Sequence, residues 1–254
     1  MRNRSFGPRG AFTFCICCVS ALGGQAVLGQ QDSVTAHIEI EKSASAKPGK
    51  SSSPALNLSQ VVVWLVPLDR ARTDVPAPPP AAKKGELIQK NKSFIPHLVV
   101  VQVGSVVDFP NRDPFFHNVF SLFDGKRFDL GLYEAGATNS VRFDHPGISF
   151  LFCNIHPEMS AVVIAVETPY YAESDKSGNV SIQSVPDGKY ELHVWYERGL
   201  PEDLHRLTRV VQIGAGSHDL GAILVRQNPT FSLEHKNKYG QDYAPPPSPG
   251  YSHP

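Results

Sequence analysis

The run Cys153-Asn154-Ile155-His156-Pro157-Glu158-Met159 constrains this chain more than any other segment. It places a thiol, an imidazole and a thioether at C-x2-H-x2-M spacing on one short loop. A second imidazole, His117, lies 36 residues upstream in Asp113-Pro114-Phe115-Phe116-His117-Asn118-Val119. For these groups to meet, a tight loop leaving a strand must carry Cys153 and His156 to one point. Met159 must enter from the axial side, and His117 must arrive on a neighbouring strand. Two imidazoles, a thiolate and a weak axial thioether form a donor set suited to one-electron copper chemistry. Thiolate favours Cu(I), imidazole serves both oxidation states, and a long thioether contact tunes the potential. Zinc remains an alternative occupant, although thioether is a poor zinc ligand and copper leads the affinity order.

Cysteine usage sharpens this reading. Cys15, Cys17 and Cys18 fall in an N-terminal segment with the pattern of a secretory signal: Arg2, Arg4 and Arg9, then the uncharged apolar run Ala11 to Leu22, then small residues. Cleavage is expected after Ala26 or Gly29, which predicts a periplasmic or secreted protein. The alternative is an uncleaved N-terminal anchor. Removing residues 1–29 takes three of the 24 basic residues and none of the 24 acidic ones, leaving a net charge of −3. It also leaves Cys153 as the sole cysteine. A lone thiol cannot form an internal disulfide and is a liability in an oxidising compartment, so it calls for a role. Metal ligation is one; an intermolecular disulfide or an inert buried thiol are the others. The balanced charge gives no reason to expect a nucleic-acid partner, and the mature chain has no apolar run long enough for a membrane span.

The rest of the chain reads as all-β. Ser33 to Glu41 alternates, and Val61-Val62-Val63-Trp64-Leu65-Val66 is a buried strand. Between Leu87 and Val166 several short strands are separated by Gly104-Ser105, Pro110-Asn111 and Pro146-Gly147 turns, and Ile148 to Cys153 is the strand that delivers the thiolate. From Thr168, turns at Asp175 to Gly178 and Val185 to Gly188 separate further strands: Tyr190 to Trp195, Arg209 to Ile213 and Leu220 to Val225. Residues 228–254 are polar, end in Pro245-Pro246-Pro247-Ser248-Pro249, and are expected to be disordered.

The segment Leu98 to Val166 resembles the cupredoxins, the plastocyanin and amicyanin superfamily. The resemblance rests on Val103-Gly104-Ser105-Val106-Val107-Asp108-Phe109, His117-Asn118-Val119, Phe150-Leu151-Phe152-Cys153 and the short ligand loop. It implies a Greek-key β-sandwich over 84–167 with one type 1 copper, held by His117, Cys153, His156 and Met159. Glu158 inside the ligand loop and the aromatic stretch from Phe120 to Tyr133 depart from that pattern. Residues 168–227 resemble the carboxypeptidase-regulatory or transthyretin-like sandwich, through Asp175 to Gly178, Val185-Pro186-Asp187-Gly188-Lys189-Tyr190 and Leu192. Its opening strands are expected within 33–70, which makes the cupredoxin an insertion between two halves. The combination resembles periplasmic proteins described as methylamine-utilisation or plastocyanin-like.

The function expected is single-electron transfer between redox partner proteins, with no enzyme activity. Oxidase or nitrite reductase chemistry needs further copper sites, and the sequence has no His-x-His pair. The alternative is a copper-homeostasis or protein-binding module. Asn118 is expected either to support the Cys153 sulfur and ligand loop or simply to satisfy a turn. Ile155, Pro157 and Phe115 are expected to exclude water and form a docking edge, or else to pack as ordinary loop residues. His97, His145, His193, His205 and His218 are expected to serve surface or packing roles in strands or turns. Lys126-Arg127-Phe128-Asp129 is a candidate contact for a partner.

Overall fold

Short β-branched runs cut by Gly, Pro and Asn turns leave little room for helix, and the described residues are all-β apart from one short helix. The computed structural model describes residues 33–41, 58–68, 85–122, 125–214, 216, 218–232 and 235–243. The expected signal segment and the Pro-rich stretches at 75–80 and 244–254 lie outside the described residues. All described residues belong to the unit Gln31–Pro254. In chain order the strands are β1 Val34–Glu41, β2 Val61–Pro67, β3 Gly85–Glu86, β4 Ile88–Lys90, β5 Ser93–Ile95, β6 Leu98–Gln102 and β7 Val106–Pro110. Next come β8 His117–Ser121, β9 Phe128–Tyr133, β10 Thr138–Arg142, β11 Gly147–Phe152 and β12 Ser160–Val166. They are followed by β13 Tyr171–Glu173, β14 Asn179–Ile182, β15 Gly188–Tyr196, the helix α1 Pro201–Leu207, β16 Arg209–Ile213 and β17 Asp219–Arg226.

The half that carries His117 and Cys153 is built from a five-stranded sheet, β6-β12-β11-β8-β9, and a three-stranded sheet, β10-β7-β3. Their shared core contains Val107, Phe109, Val119, Val141, Phe143, Leu151, Ala161 and Val163. Strands β1 and β2 pair elsewhere. β1 lies between β14 and β17, and β2 between β13 and β15. The chain therefore leaves this second pair of sheets after β2, builds β3 to β12, and returns at β13. Strand β1 shows the one-sided burial behind its pairing: Val34, Ala36 and Ile38 point inward, while Thr35, His37 and Glu39 are exposed.

Strand β12 joins the two halves. Its sequence Ser-Ala-Val-Val-Ile-Ala-Val is apolar on both faces, the pattern of a strand covered on each side. Ala161, Val163 and Ala165 face the first core, whereas Val162, Ile164 and Val166 join the cluster of Ile38, Val63, Leu65, Leu192 and Val194. Fully burying a Val, Ile or Leu side chain contributes about 1.5–3 kcal/mol. A charge at either set of β12 positions would therefore disrupt one core or the other.

The helix α1 was not expected from the sequence. At 7 residues it is too short to show an amphipathic repeat, and Leu204 is its only buried residue. Its start was nevertheless marked, with Pro201 in the first turn followed by Glu202 and Asp203, and His205 and Arg206 in the last turn. His205 thus lies in a helix, not a strand or turn. No helix among the described residues is long and apolar enough to cross a membrane.

The expectation of a disordered tail from residue 228 is corrected for the described part of it. Residues 235–243 pack against the ligand loop and β9. Lys238 pairs with Asp129 at 2.7 Å, and the His235 ring stacks on Phe152 with centroids 4.2 Å apart. The polar composition that suggested disorder instead supplies hydrogen-bonding groups that meet the Cys153 carbonyl and the Asn154 and Asp129 side chains.

Candidate metal centre

Three strands and one loop position the site. Strand β8 begins at His117, and β11 ends at Phe152, so the chain enters the loop at Cys153. The two strands are antiparallel neighbours, with Phe152 opposite Phe120, which sets His117 beside the thiol. The loop is closed at its base by Cys153 N–H donating to the Met159 carbonyl at 3.2 Å. Within it, Met159 N–H donates to the His156 carbonyl, also at 3.2 Å. Strand β12 then carries the chain away from Ser160.

Three candidate donor atoms converge. His156 Nδ1 lies 3.2 Å from His117 Nδ1, and the Cys153 sulfur lies 3.5 Å from His156 Nδ1 and 3.8 Å from His117 Nδ1. His117 and Cys153 are fully buried, and His156 keeps an exposed edge. Bond lengths of about 2.0–2.1 Å to nitrogen and about 2.3 Å to sulfur, at angles between tetrahedral and trigonal, require N–N and S–N separations of roughly 3.4 and 3.6–3.8 Å. The observed triangle is that size, so a single soft metal ion fits among these atoms. Met159 is also fully buried, in the same cluster as Cys153.

The polar surroundings explain why His117 turns Nδ1 inward. His117 Nε2 lies 2.8 Å from the Asp113 carboxylate. An ionised carboxylate only accepts, so Nε2 carries the proton and Nδ1 presents its lone pair to the centre. Asp113 is itself held, accepting the backbone N–H of Asn91 at 2.7 Å and of Lys92 at 3.0 Å. Burial opposes its ionisation, but these bonds and His117 prevail and lower its pKa below the ordinary carboxylate value. Asn111 braces the same turn: its side-chain oxygen accepts Asp113 N–H, and its amide donates to the Phe115 carbonyl at 2.8 Å. Sequence reasoning left Asp113 without a role, and the structure sets it against His117. The signal available was a carboxylate four residues ahead of a candidate ligand.

Burial raises the Cys153 thiol pKa, against the backbone N–H groups of Asn118, Ile155 and His156, which face the sulfur and favour thiolate. His156 is pushed down, first by burial and then by His117 and Lys92, so it stays neutral and available as a ligand. The two roles weighed for Asn118 are divided between backbone and side chain. Its N–H serves the sulfur, while its side-chain amide donates to Asp129 at 2.7 Å and to the Gly131 carbonyl at 2.9 Å. That second contact sits at the β8–β9 register shift, where Gly131 has φ +68°, a conformation that favours glycine.

Around the exposed edge of His156, the Phe115 ring packs 5.7 Å from His156 and 5.2 Å from His117. Phe115, Phe116 and Ile155 are 37, 54 and 42% exposed, so the site opens on an apolar rim. The remaining histidines have other partners. His97 binds Glu197 and the Ser160 carbonyl, His145 and His218 approach Asp144 and Asp187, and His193 pairs with Glu191 and stacks on Trp64. In the basic run, Lys126 pairs with Asp144, and Asp129 pairs with Lys238. Among the described residues, His117, Cys153 and His156 form the one group of three or more His, Cys, Asp or Glu residues disposed to hold a metal ion.

No family model matches the chain, and no curated protein matches it. Similar solved structures include a Cu-containing nitrite reductase (NirK) from Thermus scotoductus SA-01, at 23% identity and TM-score 0.32 over 33% of this chain and 22% of that one. The chain thus spans about a fifth of that enzyme's length. A purple cupredoxin from Nitrosopumilus maritimus matches at 22% identity and TM-score 0.29, over 32% of this chain and 98% of its own. A reduced Cu(I) form of an amicyanin variant matches at 20% identity and TM-score 0.31, over 33% of this chain and 82% of its own.

Proposed function

We propose that the chain is a periplasmic or secreted carrier of single electrons between redox partner proteins, using one type 1 copper held by His117, Cys153, His156 and Met159. The observation that carries this reading is the buried triangle of two imidazole nitrogens and one thiol sulfur with sides of 3.2, 3.5 and 3.8 Å. Bound there, copper supplies reversible exchange between Cu(II) and Cu(I). The protein's part is to hold its donors still. Asp113 fixes the tautomer and orientation of His117, and backbone N–H groups support the Cys153 thiolate. Loop closure between Cys153 and Met159 sets the approach of His156. Donors held in place for both oxidation states keep rearrangement small, which favours fast transfer.

Full burial of Cys153, His117 and Met159 excludes water from the donors, while the His156 edge and its rim of Phe115, Phe116 and Ile155 give a partner an apolar surface to dock on. The absence of any His-x-His pair supports a carrier without substrate chemistry. The test is the absorption and electron-paramagnetic-resonance spectrum after one equivalent of Cu(II), for the native chain and for Cys153→Ser. The proposal expects an intense thiolate-to-copper band and narrow hyperfine splitting in the native chain, both lost in the variant. A pale, ordinary cupric spectrum from the native chain would overturn it.

A further inference from the structure

We propose that residues 235–243 form a strap that positions the ligand loop, with Tyr243 as its main positioning residue. The inference rests on the metal reading above for its consequence, and on independent contacts for its geometry. The Tyr243 hydroxyl donates to the Cys153 carbonyl at 2.6 Å, across 90 positions of sequence. The Lys238 backbone N–H donates to the Asn154 side-chain oxygen at 2.9 Å. His235 stacks on Phe152, the residue before the thiol, and meets the Tyr243 ring edge-to-face at 5.3 Å. Three consecutive residues at the mouth of the ligand loop, Phe152, Cys153 and Asn154, are therefore each held by the strap.

The strap holds its own turn. Asn237 accepts the backbone N–H groups of Tyr239 and Gln241 at 2.9 and 3.0 Å, and its own N–H donates to the Gln241 carbonyl at 2.9 Å. Its far side is anchored by Lys238 Nζ on Asp129, the same carboxylate that accepts the Asn118 side chain beside His117. One segment thus braces the strand that supplies His117 and the loop that supplies Cys153 and His156.

The physical consequence follows from how little else closes the loop. The ladder between β11 and β12 ends at the pair Phe152–Ser160, and two backbone bonds span the turn beyond it. A hydrogen bond on the Cys153 carbonyl and another on Asn154 restrict rotation of the peptide that carries the sulfur. Removing one such bond frees the loop to open more often, by about 2–10-fold for a typical net hydrogen-bond contribution. The strap acts on placement of the donors and contributes none itself.

The experiment uses the full chain with Tyr243→Phe, and separately Asn154→Ala in case the first fails to fold. Amide hydrogen exchange of the metal-free proteins is measured at Cys153, Ile155, His156 and Met159, whose N–H groups are bonded within the loop, with β2 and β15 amides as internal controls. Release of bound copper to a chelator is then timed. The strap predicts exchange faster by about 2–10-fold at the loop amides alone, and copper release accelerated by a similar factor with the thiolate band retained. Native exchange and release rates in both variants would overturn it, as would acceleration spread equally to β2 and β15. If the native chain shows no thiolate band, the copper reading fails, while exchange in the metal-free proteins still decides the strap.

Discussion

Replacing Asp113 tests how the buried imidazole is held. Its two carboxylate oxygens accept three donors: one takes Asn91 N–H, and the other takes both Lys92 N–H and His117 Nε2–H. Asp113→Asn keeps the shape but substitutes an amide NH2 for one oxygen. With the NH2 turned to the shared position, the buried His117 Nε2–H and the Lys92 N–H face a donor; turned the other way, it is the Asn91 N–H that does. Leaving a buried donor unpaired costs about 1–3 kcal/mol, and a partner that orients a metal-bound histidine is typically worth about 10–100-fold in metal affinity. The expected loss is therefore about 10–100-fold in Cu(II) affinity, read by competition with a chelator of known strength. Losing a negative charge next to the ligand weakens binding of Cu(II) more than Cu(I), so the reduction potential rises. Nitrogen-15 chemical shifts of the metal-free variant report the His117 tautomer, which becomes mixed when the carboxylate is gone. Unchanged Cu(II) affinity together with an unchanged Nε2–H tautomer would refute the assignment of Asp113 as the orienting group.

Two further outcomes are expected. Met159→Leu retains copper with a higher potential, measured by voltammetry, because a weak axial donor is lost from a site whose other ligands remain; complete loss of copper binding would make Met159 more than a weak ligand. His97 has its pKa raised, first by its bond to Glu197, so the pair favours the folded state below the unfolded histidine pKa of about 6.5. That stability is lost as pH rises through the raised folded value. Urea denaturation should show Glu197→Gln destabilised by up to about 1 kcal/mol near pH 6, with the gap closing by about pH 9; a gap that widens with pH would contradict this sign.

The convergence of His117, Cys153 and His156 was legible because such side chains are rare and their spacing strict. A cysteine followed at short intervals by His and Met has few uses, and the apolar run Ile148 to Phe152 shows that a strand delivers it. The all-β class was legible from the same short runs, and the unbroken apolar sequence of β12 encodes its burial between two cores. Asp113 escaped because an acid before a proline reads as a turn former, and its hold on His117 exists only after Asn91 and Lys92 come round to neutralise its other lone pairs. Residues 235–243 escaped for a related reason. Their attachment is made of hydrogen bonds to a carbonyl and an amide, plus one ring stack, and none of these leaves a periodic apolar trace. The helix α1 has a single buried leucine, too little for a 3.6-residue repeat to register.

The central claim is that His117, Cys153 and His156 grip one ion together, and copper-edge X-ray absorption of the loaded protein tests it most directly. The account predicts a coordination shell with two imidazole nitrogens near 2.0 Å and a single short sulfur scatterer, at roughly 2.2–2.3 Å. A shell of oxygen and nitrogen alone, with no short sulfur contribution, would contradict it.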